Sequence, residues 1–316
     1  MSEEANITWY RGHTMSSWKL EPSLFRMKTE SGDVKKLTRE EVLLAEEYRR
    51  HHFSSRTYHK ISDKPVENIE WQEVMQHHFV KTRLMDWSER LDIALLFALE
   101  SFVANPEDNR YKYDRWNASP VLWLLNPTLL NVKVYDRILS CRQLFAEATR
   151  EFPMKQGMDT HLWNEMREGC GKYLFAYRYP LTNIVSLSQL EAARRASLAQ
   201  LHEELFLNEF NPFFYMLLRV YSDGIPNDGI LPPIAMLHPY HSERILAQRG
   251  VFTLFPLPDK HGCSRPMEDV TDCADCLCEI RITDPDTLQR EMRGDGNGLT
   301  DLYPELEAFG RRLEWM

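Results

Sequence analysis

Three short segments hold more polar chemistry than the packing of a core requires. The first is Tyr10-Arg11-Gly12-His13, at the end of a short strand pattern that begins at Ile7. An arginine there presents a fork of N–H donors suited to phosphate or carboxylate, and the glycine after it lets a ligand approach the backbone. The second runs from Met75 to Ser88, where His77, His78, Lys81, Thr82, Arg83, Asp86 and Ser88 fall between two apolar helical patterns. Arg83 and Asp86 are near enough in sequence to meet as an ion pair or as site groups. His77, His78 and Asp86 offer imidazole and carboxylate to a metal ion, although adjacent histidines seldom point the same way. The third is Glu243 to Gly250, where Arg244 and Gln248 stand four apart on one helical turn and so share a face. Each segment also has a plain structural reading. Arg11 is then a surface residue beside a turn, His78 a core histidine on an apolar stripe, Asp86 and Ser88 helix caps, and Arg244 with Gln248 a solvated face.

Cysteines form a further cluster. Of the six, Cys263, Cys273, Cys276 and Cys278 fall within 16 residues, away from Cys141 and Cys170. In a reducing compartment such clustering points to metal before disulfide. Structural zinc sites use two well-separated close pairs, however, and here only Cys273 and Cys276 make one. His261 and Cys263 would have to complete the set, and the reading adopted is buried, unligated cysteine.

The elements that position these residues follow from periodicity. Thr38 and Glu41 have capping-box spacing, which opens a helix running to about His52 with Val42, Leu43, Tyr48 and Phe53 near one face. A second helix is expected from about Glu67 to His78, with the stripe Trp71, Val74, Met75 and His78. A third follows Ser88 as N-cap, with Leu91, Leu95, Ala98, Leu99 and Phe102 buried. Pro120 to Leu125 reads as a central strand closed by Asn126-Pro127. From Asp136 to Gly229 the chain looks mainly helical, notably over Gln189 to Leu207 and Phe213 to Tyr221. Strands return at Ile230 to Leu237, Val251 to Phe255 and Leu277 to Ile282. Ser242 to Gly250 forms a short helical turn capped by Ser242 and stopped by Gly250, while Pro285 and Pro304 open two last helices. The expectation is an α+β chain: a mixed central sheet of short strands with a largely helical insertion.

Composition narrows the function classes. The 316 residues suit one large domain or two small ones, and 43% hydrophobic with 27% charged residues excludes collagen, disorder and a disulfide mini-protein. No run approaches the about 20 apolar residues of a spanning helix, and the N-terminus lacks the pattern of a secretory signal, so a soluble cytoplasmic protein is expected. A net charge of −9 argues against non-specific wrapping of nucleic acid, yet Arg49-Arg50-His51-His52 with Arg56, His59 and Lys60 form a local basic stretch. That stretch reads as a solvated helix face or as a contact for an RNA backbone. Gly-rich phosphate loops, nucleophile elbows and zinc-protease helices do not occur in the sequence, which argues against hydrolases and kinases built on them.

The three polar segments, in this order, resemble the FRG domain, a family named for its aromatic-Arg-Gly motif. The matching stretches are Trp9 to His13, Trp18 to Arg26, Met75 to Ser88, the Ala94 to Ala98 helix and Val121 to Pro127, with Ser242 to Phe255 and Asp301 to Glu307 in the C-terminal part. On this resemblance the chain divides into a core over 1–135, a helical insertion over 136–229 and core-completing elements over 230–316. The strand with aromatic-Arg-Gly also resembles the first NAD-binding strand of arginine-type ADP-ribosyltransferases. Those enzymes then carry a Ser-Thr-Ser-like segment running into an apolar helix, a layout shared by Thr82 to Ser88 before Leu91 to Phe102. Their late Glu- or Gln-containing strand is matched only by Glu243 and Gln248, and their Glu-x-Glu pattern is missing.

That likeness implies an ADP-ribosyltransferase-like fold and NAD as substrate. Arg11, Asp86, Gln248 and Glu243 would be catalytic, and Tyr10, Arg11, Gly12, His78, Thr82, Arg83 and Ser88 would bind the dinucleotide. It also implies a toxin or anti-phage defence effector that modifies RNA or protein, with a neutralising partner such as an antitoxin and no membrane partner. The alternative is a non-catalytic sensor of a nucleotide or phage component.

Overall fold

Short β-rich segments scattered along the chain are drawn into one sheet. The computed structural model describes residues 8–61, 68–99, 119–140, 173–176, 184–186, 221, 231–237, 243–258, 262 and 264–294. The strands are β1 (Trp9–His13), β2 (Leu84–Ser88), β3 (Val121–Leu125), β4 (Tyr173–Ala176), β5 (Ile184–Ser186), β6 (Ile234–Leu237), β7 (Gly250–Leu254) and β8 (Leu277–Arg281). Their order in the sheet is β5-β4-β6-β7-β2-β1-β3-β8. The six strands from β6 to β8 pair antiparallel, whereas β4 runs parallel to β6. The expected α+β chain with a mixed sheet of short strands is therefore found. Among the described residues no helix is long and apolar enough to cross a membrane.

Strand alternation sends three tryptophans to one face. Trp9, Trp87 and Trp123 join Leu20, Leu24, Val42 and Met267 in the larger core. Trp87 Nε1 donates to Thr253 Oγ1 at 3.1 Å, whereas Trp9 Nε1 and Trp123 Nε1 are buried without a hydrogen-bond acceptor among the described residues. The other face of β1 is covered by α3 (Leu91–Ala98), whose Ile93 and Leu96 pack with Leu99 and with Met292 of a later helix, α6 (Pro285–Gly294).

Helix α1 (Arg39–Thr57) starts as its sequence indicates. Glu41 N donates to Thr38 Oγ1 at 3.3 Å and Thr38 N to Glu41 Oε2 at 2.8 Å. Of the four apolar residues expected on one face, only Val42 is buried and Tyr48 is exposed, because α1 is covered along a narrow stripe. Helix α2 (Asn68–His77) buries Trp71 and Met75 but not His78. The helix ends at His77: Phe79 turns left-handed, Phe79 N donates to Gln76 O and Val80 N to Met75 O. This places His78 beyond the stripe, exposed, so it is not a core histidine.

Two further expectations change. Leu84 to Ser88 is a strand rather than a loop. Ser88 does not cap α3, whose N-cap is Arg90; Ser88 Oγ accepts from Arg90 N at 2.9 Å and donates to the Gln248 carbonyl at 2.7 Å. The buried face of α3 is Ile93, Ala94, Leu96 and Ala98, with Leu91 exposed, because that helix packs against both β1 and α6. Asn126-Pro127 closes β3 and also opens α4 (Pro127–Ser140), with Leu129 N donating to Asn126 Oδ1 at 3.0 Å.

Within the expected helical middle, β4 and β5 are strands, Tyr221 is helical, and the Gln189 to Leu207 stretch lies outside the described residues. The C-terminal part follows expectation: β6, α5 (Glu243–Gln248), β7, β8 and α6. Here Gly250 begins β7, and the left-handed residue that ends α5 is Arg249, at φ 45°. Ser242 and the helix expected at Pro304 lie outside the described residues.

One position governs how α3 meets β1. A β-carbon on Gly12 would lie 1.9 Å from Ala94 O and 2.5 Å from Ala98 N, both backbone atoms that cannot swing aside. Gly12→Ala must therefore separate helix from sheet. It is expected to lower the unfolding free energy by about 3 kcal/mol, the upper range for overpacking, as read from the urea midpoint.

Candidate functional site

The sheet parts at its centre. β1 pairs with β3 over five residues, Trp9↔Leu125 to His13↔Val121, and β2 pairs with β7 over five, Leu84↔Leu254 to Ser88↔Gly250. Between themselves β1 and β2 share a single registered pair, Tyr10↔Ser88. Beyond it a continued ladder would have satisfied the Asp86 carbonyl from β1. Instead that carbonyl accepts from Arg11 Nη1, whose side chain bridges the gap.

Arg11 is set by its neighbours. Its Nε donates to His13 Nε2 at 2.9 Å. His13 is buried and stands edge-on to Trp18, with ring centroids 5.9 Å apart. Burial, and then the positive charges of Arg11 and Arg26, hold the His13 imidazole down at about 3. The ring is therefore neutral at ordinary pH, and because Nε2 accepts, its proton sits on Nδ1. Burial lowers the Arg11 guanidinium to about 10, opposed by the Asp86 charge and assisted by Arg26, so Arg11 stays charged. Two of its five N–H groups are committed among the described residues.

Asp86 is exposed, and its carboxylate is steered from α2. Gln76 Nε2 donates to Asp86 Oδ2 at 3.0 Å, while Gln76 Oε1 accepts from Thr82 Oγ1 at 2.5 Å. Thr82 in turn accepts from Leu84 N at 3.2 Å. The order Thr82, Gln76, Asp86 is a directed chain that fixes which end of the Gln76 amide faces the carboxylate. Ser88 ties α5 to the closed end of the gap through the Gln248 carbonyl.

The structure thus brings Tyr10, Arg11, Asp86, Ser88 and the Gln248 backbone to one gap, with Thr82 acting through Gln76. Other expected groups are placed elsewhere. Arg83 does not meet Asp86: it is fully buried, with Nε and Nη2 donating to Glu46 at 2.6 and 3.2 Å and Nη1 to the Tyr221 and Phe255 carbonyls at 2.8 Å each. Every nitrogen of its guanidinium has an internal acceptor, because it lies on the core side of β2. Gly12 is not open to a ligand, since α3 occupies the space above it. His78 stands against Phe53, ring centroids 5.6 Å apart, and is not tied to the gap. Glu243 opens α5, and its side chain is outside the described residues.

Among the described residues the metal readings find no geometry to support them, and His261 lies outside those residues. The His77 ring meets Phe252 while the His78 ring meets Phe53, so the two diverge and do not join Asp86. No group of three His, Cys, Asp or Glu side chains converges among the described residues. Cys273 and Cys276 are buried in the larger core, and burial pushes both thiols up, Cys276 to about 11. Cys278 is exposed on β8, and Cys263 lies outside the described residues.

Gln76 and Arg26 were not singled out from sequence. Gln76 had a readable signal only in its place beside the two histidines of the Met75 to Ser88 segment. Arg26 had none, because it acts on Arg11 and His13 through space.

Two measurements check these assignments. Arg83→Ala strands the largely buried Glu46 carboxylate and is expected to lower the unfolding free energy by about 3–5 kcal/mol in urea denaturation. His13 binds its proton near 3 when folded, whereas an unfolded histidine binds near about 6.5. The unfolded state therefore holds more protons between those values. Stability from this group is complete above the unfolded value and is lost as pH falls from there to 3. By NMR the His13 ring is expected to show no titration from pH 8 to 4.5, with the proton on Nδ1, and His13→Gln to flatten the acid limb of the stability curve.

Comparison with known proteins bears on the first third of the chain. Residues 6–107 match the family model of the FRG domain, a span that includes β1, α1, α2, β2 and α3. No curated protein and no solved structure matches the chain. The flanking strands β3 and β7 come from beyond the matched span and complete the sheet on either side of the gap. Arg11, Asp86 and the helix that seals Gly12 all lie within residues 6–107, over which this chain carries an FRG domain.

Proposed function

We propose that this chain binds a nicotinamide dinucleotide at the Arg11–Asp86 gap and transfers ADP-ribose from it to a macromolecular acceptor, RNA or protein, as a cytoplasmic toxin or anti-phage defence effector. The observation that carries the reading is a charged, partly uncommitted guanidinium held beside a steered carboxylate where two central strands part. Arg11 keeps donors for a diphosphate, and the neutral His13 fixes its orientation without competing for charge. Asp86 supplies negative charge for the oxocarbenium-like centre that forms as the C1′–nitrogen bond of the dinucleotide breaks. Nicotinamide leaves with the electron pair of that bond. The acceptor nucleophile then bonds to C1′ and gives up its proton.

The site departs from the transferase pattern in using an aspartate on β2 where a late Glu-x-Glu strand would be expected. Arg83, Gly12 and His78 drop out of the binding set, leaving Tyr10, Arg11, Ser88 and the Gln76-linked Thr82. The hydrogen bond from Gln76 to Asp86 favours a second reading, in which Asp86 is a structural acceptor and the gap is a non-catalytic nucleotide sensor.

Purified protein is incubated with nicotinamide-labelled dinucleotide and cell lysate, with and without nuclease. The transferase reading expects nicotinamide release, loss of label transfer on nuclease treatment if the acceptor is RNA, and a fall of at least tenfold in both Arg11→Ala and Asp86→Asn. Asp86 is exposed and Asn is isosteric, so Asp86→Asn should unfold at the same temperature as the parent. Dinucleotide binding without release would replace the transferase by the sensor, and absence of both would discard the site.

A further inference from the structure

Phe79 is placed against its own interest. It follows α2 in the left-handed region, at φ 61°, with Phe79 N donating to Gln76 O at 3.1 Å and Val80 N to Met75 O at 3.0 Å. This is the helix-ending arrangement that normally takes glycine, because a β-carbon is crowded there. The side chain gains little in return, being 82% exposed. Neither backbone nor burial favours phenylalanine over glycine, so folding does not account for it, and an outlier of this kind points to a role outside the fold.

The surroundings of Phe79 are cationic and aromatic. The Arg244 guanidinium of α5 lies over the Phe79 ring, 4.9 Å from its centroid. His78, next in the chain, is exposed and packs on Phe53 of α1. Lys81 is exposed, and its carbonyl accepts from Arg49 Nη1 at 3.1 Å, which joins this loop to the second half of α1. The neighbouring column of α1 carries Tyr48, His52 and Arg56 at four-residue steps, all exposed, with the Tyr48 and His52 rings 4.1 Å apart. One surface thus offers exposed ring faces flanked by Arg56, Lys81 and Arg244.

We propose that Phe79 is a base-stacking platform and that this surface docks a single-stranded nucleic acid. Arginine and lysine complement phosphates, and exposed rings between them complement unpaired bases; that pairing of features is how single strands are held. A folded acidic surface would use the charges but leave the strained aromatic unexplained, and an apolar one would use the ring but not the charges. The inference names the acceptor class for the transferase and rests on the reading above only in that respect, since docking is measured with no dinucleotide present.

The test uses the full chain and a fluorescein-labelled oligouridine, followed by fluorescence anisotropy at low salt. Binding is expected, weakening with salt at a log–log slope of about −2 for three phosphate contacts. Phe79→Gly is expected to weaken it by about tenfold, the loss of one stacked base, while Phe79→Trp preserves it. The unfolding midpoint of Phe79→Gly should be unchanged or raised, because glycine suits the left-handed position. No binding at low salt, equal binding of a duplex, wild-type affinity in Phe79→Gly or a midpoint several degrees lower in that variant would each overturn the proposal. Oligouridine binding without nicotinamide release would leave the docking surface standing and remove the transferase; release without binding would do the reverse.

Discussion

A sheet that parts between two of its central strands must satisfy the backbone groups left there, because water does not serve them as well inside a fold. Here one side chain does so. Arg11 reaches from β1 to the Asp86 carbonyl of β2 and is itself braced by His13 two residues on. A guanidinium suits this task because it has donors to spare after the first is used. The same surplus makes the gap a place where an anion can be received. The structural role of Arg11 and the binding role proposed for it thus rest on one geometry.

The gap persists because both flanks are anchored elsewhere. β1 is fixed to β3 by a full ladder and to α3 by the close contact at Gly12. β2 is fixed to β7 by a second ladder and, just before its start, by Arg83. That residue donates to the Phe255 carbonyl while Phe255 N donates to the Arg83 carbonyl at 3.1 Å, and it draws in Glu46 of α1 and the Tyr221 carbonyl. A fully buried arginine is tolerable only with such complete pairing. The strands can therefore stand apart without the sheet dissolving.

Much of the fold was legible because local signals agreed with it. The capping box at Thr38 and Glu41, the apolar run ending at Leu125 and the proline at Pro285 each marked an element that exists. β2 was hidden: five residues with Asp and Ser in them read as a loop until the strands on either side are known. His78 misled because a stripe was extended through a residue where the helix had already ended. The end depended on Phe79 taking a conformation that its type disfavours. Among the candidate residues, Arg11 and Asp86, singled out by residue type and by the family resemblance, are neighbours in the structure, whereas Arg83, expected beside Asp86, is buried elsewhere. Its partners are 37, 138 and 172 positions away, and nothing local foretells them.

The aromatic-Arg-Gly motif can now be divided by strand alternation. Arg11 serves one side of the sheet and Gly12 the other, so adjacent residues answer to different constraints. The glycine is demanded by the backbone of α3 alone, since Ala94 O and Ala98 N fill the space a side chain would need. The arginine is demanded by the opened strands and leaves donors over. A chain using this motif only as a fold element would need the glycine and one donor from the arginine. The features that exceed this need are the neutral His13, the Gln76-steered carboxylate and the second cation at Arg26. They act on Arg11, on His13 and on the Asp86 carboxylate, and that concentration, rather than the motif itself, makes the gap a functional candidate.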